Sequence, residues 1–103
     1  GLSVQHMKKN LGKAIKLAIS KNIRVLLAGM QIPLNYGQDY TKSFRNAFYE
    51  LAEQYQLPMI PFLLEDVGNV PDLNLPDGIH PNPEGHQIIS RTVIKNLEPL
   101  LSN

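Results

Sequence analysis

Only two stretches of this sequence read as buried β-strands, residues 23–28 and 58–63, and each lies between segments whose apolar residues recur at helical spacing. Before the first run, Met7, Leu11, Ala14, Ile15 and Ala18 form an apolar stripe from about residue 4 to 20. Lys8, Lys9, Lys13 and Lys16 take its polar or flanking positions, as on an amphipathic helix. Lys21-Asn22 breaks that helix, and the first strand run ends at Gly29. Residues 30–39, with Pro33, Asn35 and Gly37, read as a loop. From Tyr40 the helical period returns through Phe44, Ala47, Phe48, Leu51, Ala52 and Tyr55, with Asp39 and Thr41 both of the residue types that cap a helix start. Residues 65–83 are rich in Pro, Gly, Asn and Asp, so regular structure there is expected to be brief. A last helix is expected to begin near Asn82, with Pro83 in its first turn and Glu84 favoured by the helix dipole. It runs on through Ile88, Ile89, Val93 and Leu97 and is expected to stop near Pro99.

The order helix, strand, helix, strand, helix predicts an α/β fold with a parallel sheet covered on both faces and right-handed crossovers. Two strands make a poor sheet, because both edges stay open and each helix loses part of the surface its stripe expects. The chain has 103 residues, enough for one small domain and too few for two. The pattern is therefore that of the second half of a three-layer α/β domain, with residues 1–103 as part of a single domain.

Composition excludes several classes. With no cysteine, disulfides, thiolate metal sites and cysteine nucleophiles are ruled out. The formal charge is +1, and along the sequence Lys and Arg are scattered rather than clustered, so no nucleic-acid footprint is expected. No apolar run approaches the roughly 20 residues that cross a bilayer. The first residues, Gly1 to Gln5, have neither the basic start nor the apolar stretch of a signal peptide. A signal could precede Gly1 in a longer product, so the compartment stays open.

The densest polar cluster is one turn: Asp77, Gly78, Ile79, His80, Pro81, Asn82, Pro83. An Asp three residues before a His can set its carboxylate against the ring Nδ1–H, fix the tautomer, and leave Nε2 as a free base. A serine nucleophile needs such a base, since its hydroxyl is scarcely ionised at neutral pH. Gly78 lets the backbone fold back between the two, and Pro81 stiffens the exit. The turn follows the last strand and precedes the last helix, where parallel α/β sheets hold their ligands. Other readings remain open: Asp-Gly is a common turn dipeptide, and Asn82-Pro83 an ordinary helix start. A metal site could also use Asp77, His80 and His86, although His86 falls one turn into the helix. His6, on the polar side of the first helix, reads as a surface residue.

The segment LPDGIHPN, residues 75–82, resembles the D-x-x-H-P block that closes SGNH (GDSL-type) serine hydrolases. The similarity extends over nearly the whole chain. VLLAGMQIPLNY, residues 25–36, resembles the strand and substrate loop of the bacterial acyl-CoA thioesterase/arylesterase branch. Residues 40–64, ending in LAEQYQLPMIPFLL, resemble its next helix and strand, and EGHQIIS with Leu97 and Leu100 its closing helix.

This resemblance implies a three-layer α/β/α, flavodoxin-like SGNH hydrolase fold of which the chain supplies the C-terminal half. It implies an esterase or thioesterase with a Ser-His-Asp triad, His80 as general base and Asp77 as its orienting partner. Met30, Ile32, Pro33, Leu34 and Tyr36 fall in the loop that lines the acyl pocket in that branch, where ordinary loop packing is the competing reading. No cofactor is implied, the substrate would be a small ester or thioester, and the bacterial periplasm or the exterior is favoured over the cytoplasm. The family's nucleophile, oxyanion-hole and G-x-N-D blocks would all lie before Gly1-Leu2, so the residues immediately preceding Gly1 are the most informative missing observation. Ser3, Ser20, Ser43, Ser90 and Ser102 lack the Gly-Asp context of that nucleophile and read as surface or capping serines. The expected partner is then the missing half of the domain or a second copy of the chain, with no nucleic acid and no stable membrane insertion. The alternative is a non-catalytic half-domain that serves as an assembly or interaction module.

Overall fold

A computed structural model describes residues 3–101; Gly1, Leu2 and Ser102, which entered the sequence reading, lie outside the described residues. The chain divides into two compact units, Gly1–Pro61 and Phe62–Asn103.

In the first unit, helix α1 (Val4–Ser20) starts at Ser3, whose Oγ accepts a hydrogen bond from the His6 backbone N–H at 3.2 Å. That bond satisfies one of the helix's orphan donors, so Ser3 is the capping serine its context suggests. At the other end Asn22 takes a left-handed conformation (φ 60°), and Ile23 N–H donates back to the Ala18 carbonyl at 2.9 Å. This reversal is a helix stop that asparagine tolerates better than most residues. Helix α2 (Gln38–Tyr55) follows a short 3-10 turn at Leu34–Tyr36. Neither expected cap caps it. The N-cap is Gly37 at φ 95°, Asp39 lies inside the first turn, and the Thr41 hydroxyl donates to the Pro33 carbonyl instead.

Strands β1 (Leu27–Ala28) and β2 (Met59–Ile60) pair in parallel, Leu27 opposite Met59 and Ala28 opposite Ile60. Both are far shorter than the apolar runs that contain them. Pro58 and Pro61 flank β2 and carry no N–H for a ladder, and among the described residues no second strand pairs with β1. Ile23, at the start of the first run, is consequently exposed rather than buried. Against this sheet Ile15, Leu27, Phe48 and Leu51 form the buried core, joined by Met7, Leu11, Phe44, Tyr55 and others. Phe44 and Phe48 meet edge to face at 5.5 Å. The stripe read from α2 packs through Phe44, Phe48, Leu51, Ala52 and Tyr55, and that of α1 through Met7, Leu11 and Ile15, whereas Ala14 stays exposed.

In the second unit a 3-10 turn, Pro71–Leu73, precedes helix α3 (Pro83–Leu101). The helix passes through Pro99 and runs to Leu101, two residues beyond and near the expected stop.

The first unit sets one expectation for the chain's behaviour. Each strand has a single neighbour in the two-stranded sheet, so two backbone edges are unpaired within it. Leu17, Ile19 and Ile23 are each about half exposed or more. Burying one such side chain is worth roughly 1.5–3 kcal/mol, a sizeable share of a small domain's 5–15 kcal/mol. The 103-residue chain alone is therefore expected to self-associate. Sedimentation velocity over a dilution series should show a mass that rises with concentration, and a concentration-independent compact monomer would contradict it.

Candidate active site

Residues 73–82 of the second unit form a small antiparallel hairpin. Asn82 N–H donates to the Leu73 carbonyl at 2.9 Å, Leu75 N–H to the His80 carbonyl at 2.7 Å, and Asn74 bridges Pro81 between them. The tip is a turn in which Gly78 N–H donates to the Leu75 carbonyl at 2.8 Å, with Pro76 in the second position. Proline presets that position's φ, and glycine suits the fourth. Gly78 itself takes φ 71°, the left-handed region that a side chain disfavours.

This tip brings Asp77 and His80 together. Asp77 Oδ1 accepts the backbone N–H groups of Ile79 (2.8 Å) and His80 (3.0 Å). Its other oxygen, Oδ2, lies 2.6 Å from His80 Nδ1. One carboxylate oxygen is thus held by the turn's own backbone while the other faces the ring, which fixes the carboxylate without help from distant residues. The ring is 71% exposed, and Nε2 has no partner among the described residues. A group that held a proton on Nδ1 and took one on Nε2 would need this arrangement.

The carboxyl of Asp77 is lowered from 3.8 to about 2, first by the His80 ring and then by the N–H groups of Ile79 and His80. Since the folded carboxyl titrates below its unfolded value, the contact's contribution is complete above about pH 4 and is lost as pH falls through 2. A carbon-detected NMR titration should find the Asp77 carboxylate still ionised at pH 3. A midpoint at the ordinary value would mean that the contact does not form in solution.

The hairpin is fastened at its base. Asn82 caps α3, its Oδ1 accepting Gly85 N–H at 2.9 Å, while its Nδ2 donates to the Asp72 carbonyl at 2.8 Å. Asn74 Nδ2 donates to the carbonyls of Val67 (2.9 Å) and Val70 (2.8 Å). Gly85 is buried, and a Cβ there would run into the Leu73 carbonyl and crowd Val67, so only glycine permits this approach of α3 to the hairpin. In the sequence Asn82 has only the mark of a helix start. Its second bond, to a carbonyl ten residues earlier, leaves no local signal.

The loop residues lie in the first unit. Met30 is half-buried against the hydrophobic core, Ile32 is half-buried, and Pro33 and Tyr36 are exposed. Pro33 contributes its carbonyl to Thr41 and to Tyr36 N–H. The Leu34 side chain is outside the described structure. A groove of about 350 Å³ between α1 and α2 is lined by Lys8, Lys9, Lys13, Lys16 and Tyr55 among others, so these four lysines of α1 share one face. No group of three or more His, Cys, Asp or Glu side chains gathers among the described residues, and Asp77, His80 and His86 do not form one.

The hairpin and the parallel α/β frame have counterparts among known proteins. Residues 2–93 match the GDSL-like Lipase/Acylhydrolase family, and the chain belongs to it. Its relatives include the thioesterase 1/protease 1/lysophospholipase L1 of Escherichia coli K12, 30% identical over all of this chain and 50% of that protein. The esterase TesA of Pseudomonas aeruginosa is 34% identical over 98% of this chain and 50% of its own length. A crystal structure of TesA superposes with a TM-score of 0.92 over 98% of this chain and 56% of that chain, at 34% identity. The fold is accordingly that of an SGNH hydrolase, of which this chain is a helix-rich α/β portion. It spans about half the length of the curated relatives it matches.

Proposed function

We propose that the intact protein hydrolyses carboxylic esters or thioesters through a Ser-His-Asp triad, in which His80 is the general base and Asp77 orients it. The observation that carries this reading is the 2.6 Å contact between His80 Nδ1 and Asp77 Oδ2, with Nε2 left accessible. The nucleophilic serine is assigned to a part of the domain outside these 103 residues. Ser3 is committed to capping α1, and Ser20 donates its hydroxyl to the Leu17 carbonyl.

In this mechanism Nε2 takes the serine proton as Oγ attacks the acyl carbonyl carbon. The tetrahedral intermediate collapses, and the imidazolium returns the proton to the departing alkoxide or thiolate. Water then attacks the acyl-enzyme, giving its proton to Nε2, and the imidazolium returns that proton to the serine Oγ as the acyl–Oγ bond breaks and the carboxylic acid leaves. Asp77, held at about 2, stays ionised throughout and stabilises each imidazolium as it forms. Met30, Ile32, Pro33, Leu34 and Tyr36 are assigned to the acyl-binding loop.

The test is hydrolysis of p-nitrophenyl acetate and of an acyl thioester by the intact protein. Turnover of at least one, abolished by a serine-directed phosphonate, is expected. No turnover of either would favour the assembly-module reading.

A further inference from the structure

Asn82 spends every polar group it has on the hairpin's base. Its N–H donates to the Leu73 carbonyl and its carbonyl accepts the His86 N–H, both at 2.9 Å. Its side-chain Oδ1 accepts Gly85 N–H at 2.9 Å, and its Nδ2 donates to the Asp72 carbonyl at 2.8 Å. A helix cap needs only the Oδ1 bond, which Ser, Thr or Asp would supply as well. The Nδ2 bond is additional, and an amide is the side chain of this size that can accept with one end and donate with the other.

The geometry points to Asn82 as a positioning residue: it ties the leg of the hairpin that carries His80 both to the 71–73 turn and to the first turn of α3. This inference rests on the reading of His80 as the general base. The Asp77–His80 contact is made wholly within the hairpin tip, so Asn82 does not create it. Asn82 instead controls how the tip as a whole is carried. It stands two positions after His80, and the one intervening residue, Pro81, with φ locked, transmits a tilt of the base rather than absorbing it. A base that must reach a nucleophile on another part of the domain depends on that orientation, and an error near 1 Å costs on the order of 100-fold in rate.

The two roles of Asn82 separate under Asn82→Asp. The carboxylate keeps the acceptor for Gly85 N–H and suits the positive end of α3, so the cap survives. It cannot donate, and it turns a second oxygen toward the Asp72 carbonyl, so the tether is lost. In the intact protein, with p-nitrophenyl acetate as substrate, Asn82→Asp is expected to lower kcat roughly 10- to 100-fold. KM should change little, and the melting temperature should stay near that of the unsubstituted protein. The Asp77 carboxyl should keep its lowered titration by carbon-detected NMR, because the Asp77–His80 pair is intact. Asn82→Ala, which removes both bonds, should lower kcat and the melting temperature together.

His80→Ala is run beside these variants. If His80→Ala is inactive while Asn82→Asp retains kcat within about twofold, Asn82 is a cap alone and the inference falls. If Asn82→Asp returns the Asp77 carboxyl to its ordinary range, its effect lies inside the tip, and the tether argument is overturned. If His80→Ala keeps near-full activity, the general-base reading fails and takes this one with it.

Discussion

Replacing His80 by alanine in the intact protein is expected to lower kcat by roughly 10⁴- to 10⁶-fold, with a much smaller change in KM. In the proposed mechanism the base acts while the serine proton is in flight and again while the leaving group departs, so its absence should be felt in the transition states rather than in substrate binding. Asp77→Asn is expected to cost less, roughly 10²- to 10⁴-fold. The amide keeps a heteroatom near Nδ1 but carries no charge to stabilise the imidazolium, and its NH₂ group can select the wrong tautomer. The substitution also touches the turn itself, since Asp77 Oδ1 accepts the N–H groups of Ile79 and His80. Because an asparagine oxygen can keep those two bonds, the hairpin should persist, and circular dichroism and melting curves separate misfolding from lost chemistry. Steady-state kinetics on p-nitrophenyl acetate read both variants. Near-full activity in either would reduce the Asp77–His80 contact to turn structure.

The second large effect concerns residues 1–103 as an isolated polypeptide, which are expected to hydrolyse activated esters no faster than buffer. A base without a nucleophile has nothing to deprotonate productively, and preorganised oxyanion donors supply much of the rate in acyl transfer. Adding a separately produced N-terminal half should raise activity above background, since its strands would pair with the open sheet edges and supply the serine. Turnover by the chain alone that disappears on Ser3→Ala would instead make Ser3 the nucleophile, against its place as the cap of α1. Turnover that survives every serine substitution would argue for a different chemistry altogether.

Both expectations rest on a site whose main part was legible in the residues themselves. The Asp77–His80 pair needs only a turn of a given length, a proline to enter it and a glycine to leave it. These are local preferences, written within LPDGIH. The three helices were legible for a similar reason, since one residue in three or four must face the core and the stripes of Met7, Leu11 and Ile15 or Phe44, Phe48 and Leu51 obey that period.

What the sequence misjudged was contact at a distance. Residues 23–28 look like six residues of strand, yet only Leu27 and Ala28 pair, because a strand's length is set by its neighbour's available N–H and C=O groups. Prolines at 58 and 61 close that possibility from the other side of the sheet. Neither Asp39 nor Thr41 caps α2, because Pro33, eight residues before Thr41, offers its carbonyl and takes the hydroxyl.

The division follows from range. By itself the sequence determined the helical stripes, the turn chemistry and the pairing of Asp77 with His80, all set by interactions within a few residues. Tertiary structure alone decided how much of each apolar run became strand, why position 85 admits only glycine, and that Asn82 reaches back to Asp72. Those outcomes depend on which backbone groups arrive opposite one another after the chain has turned, and no short window of sequence contains both partners.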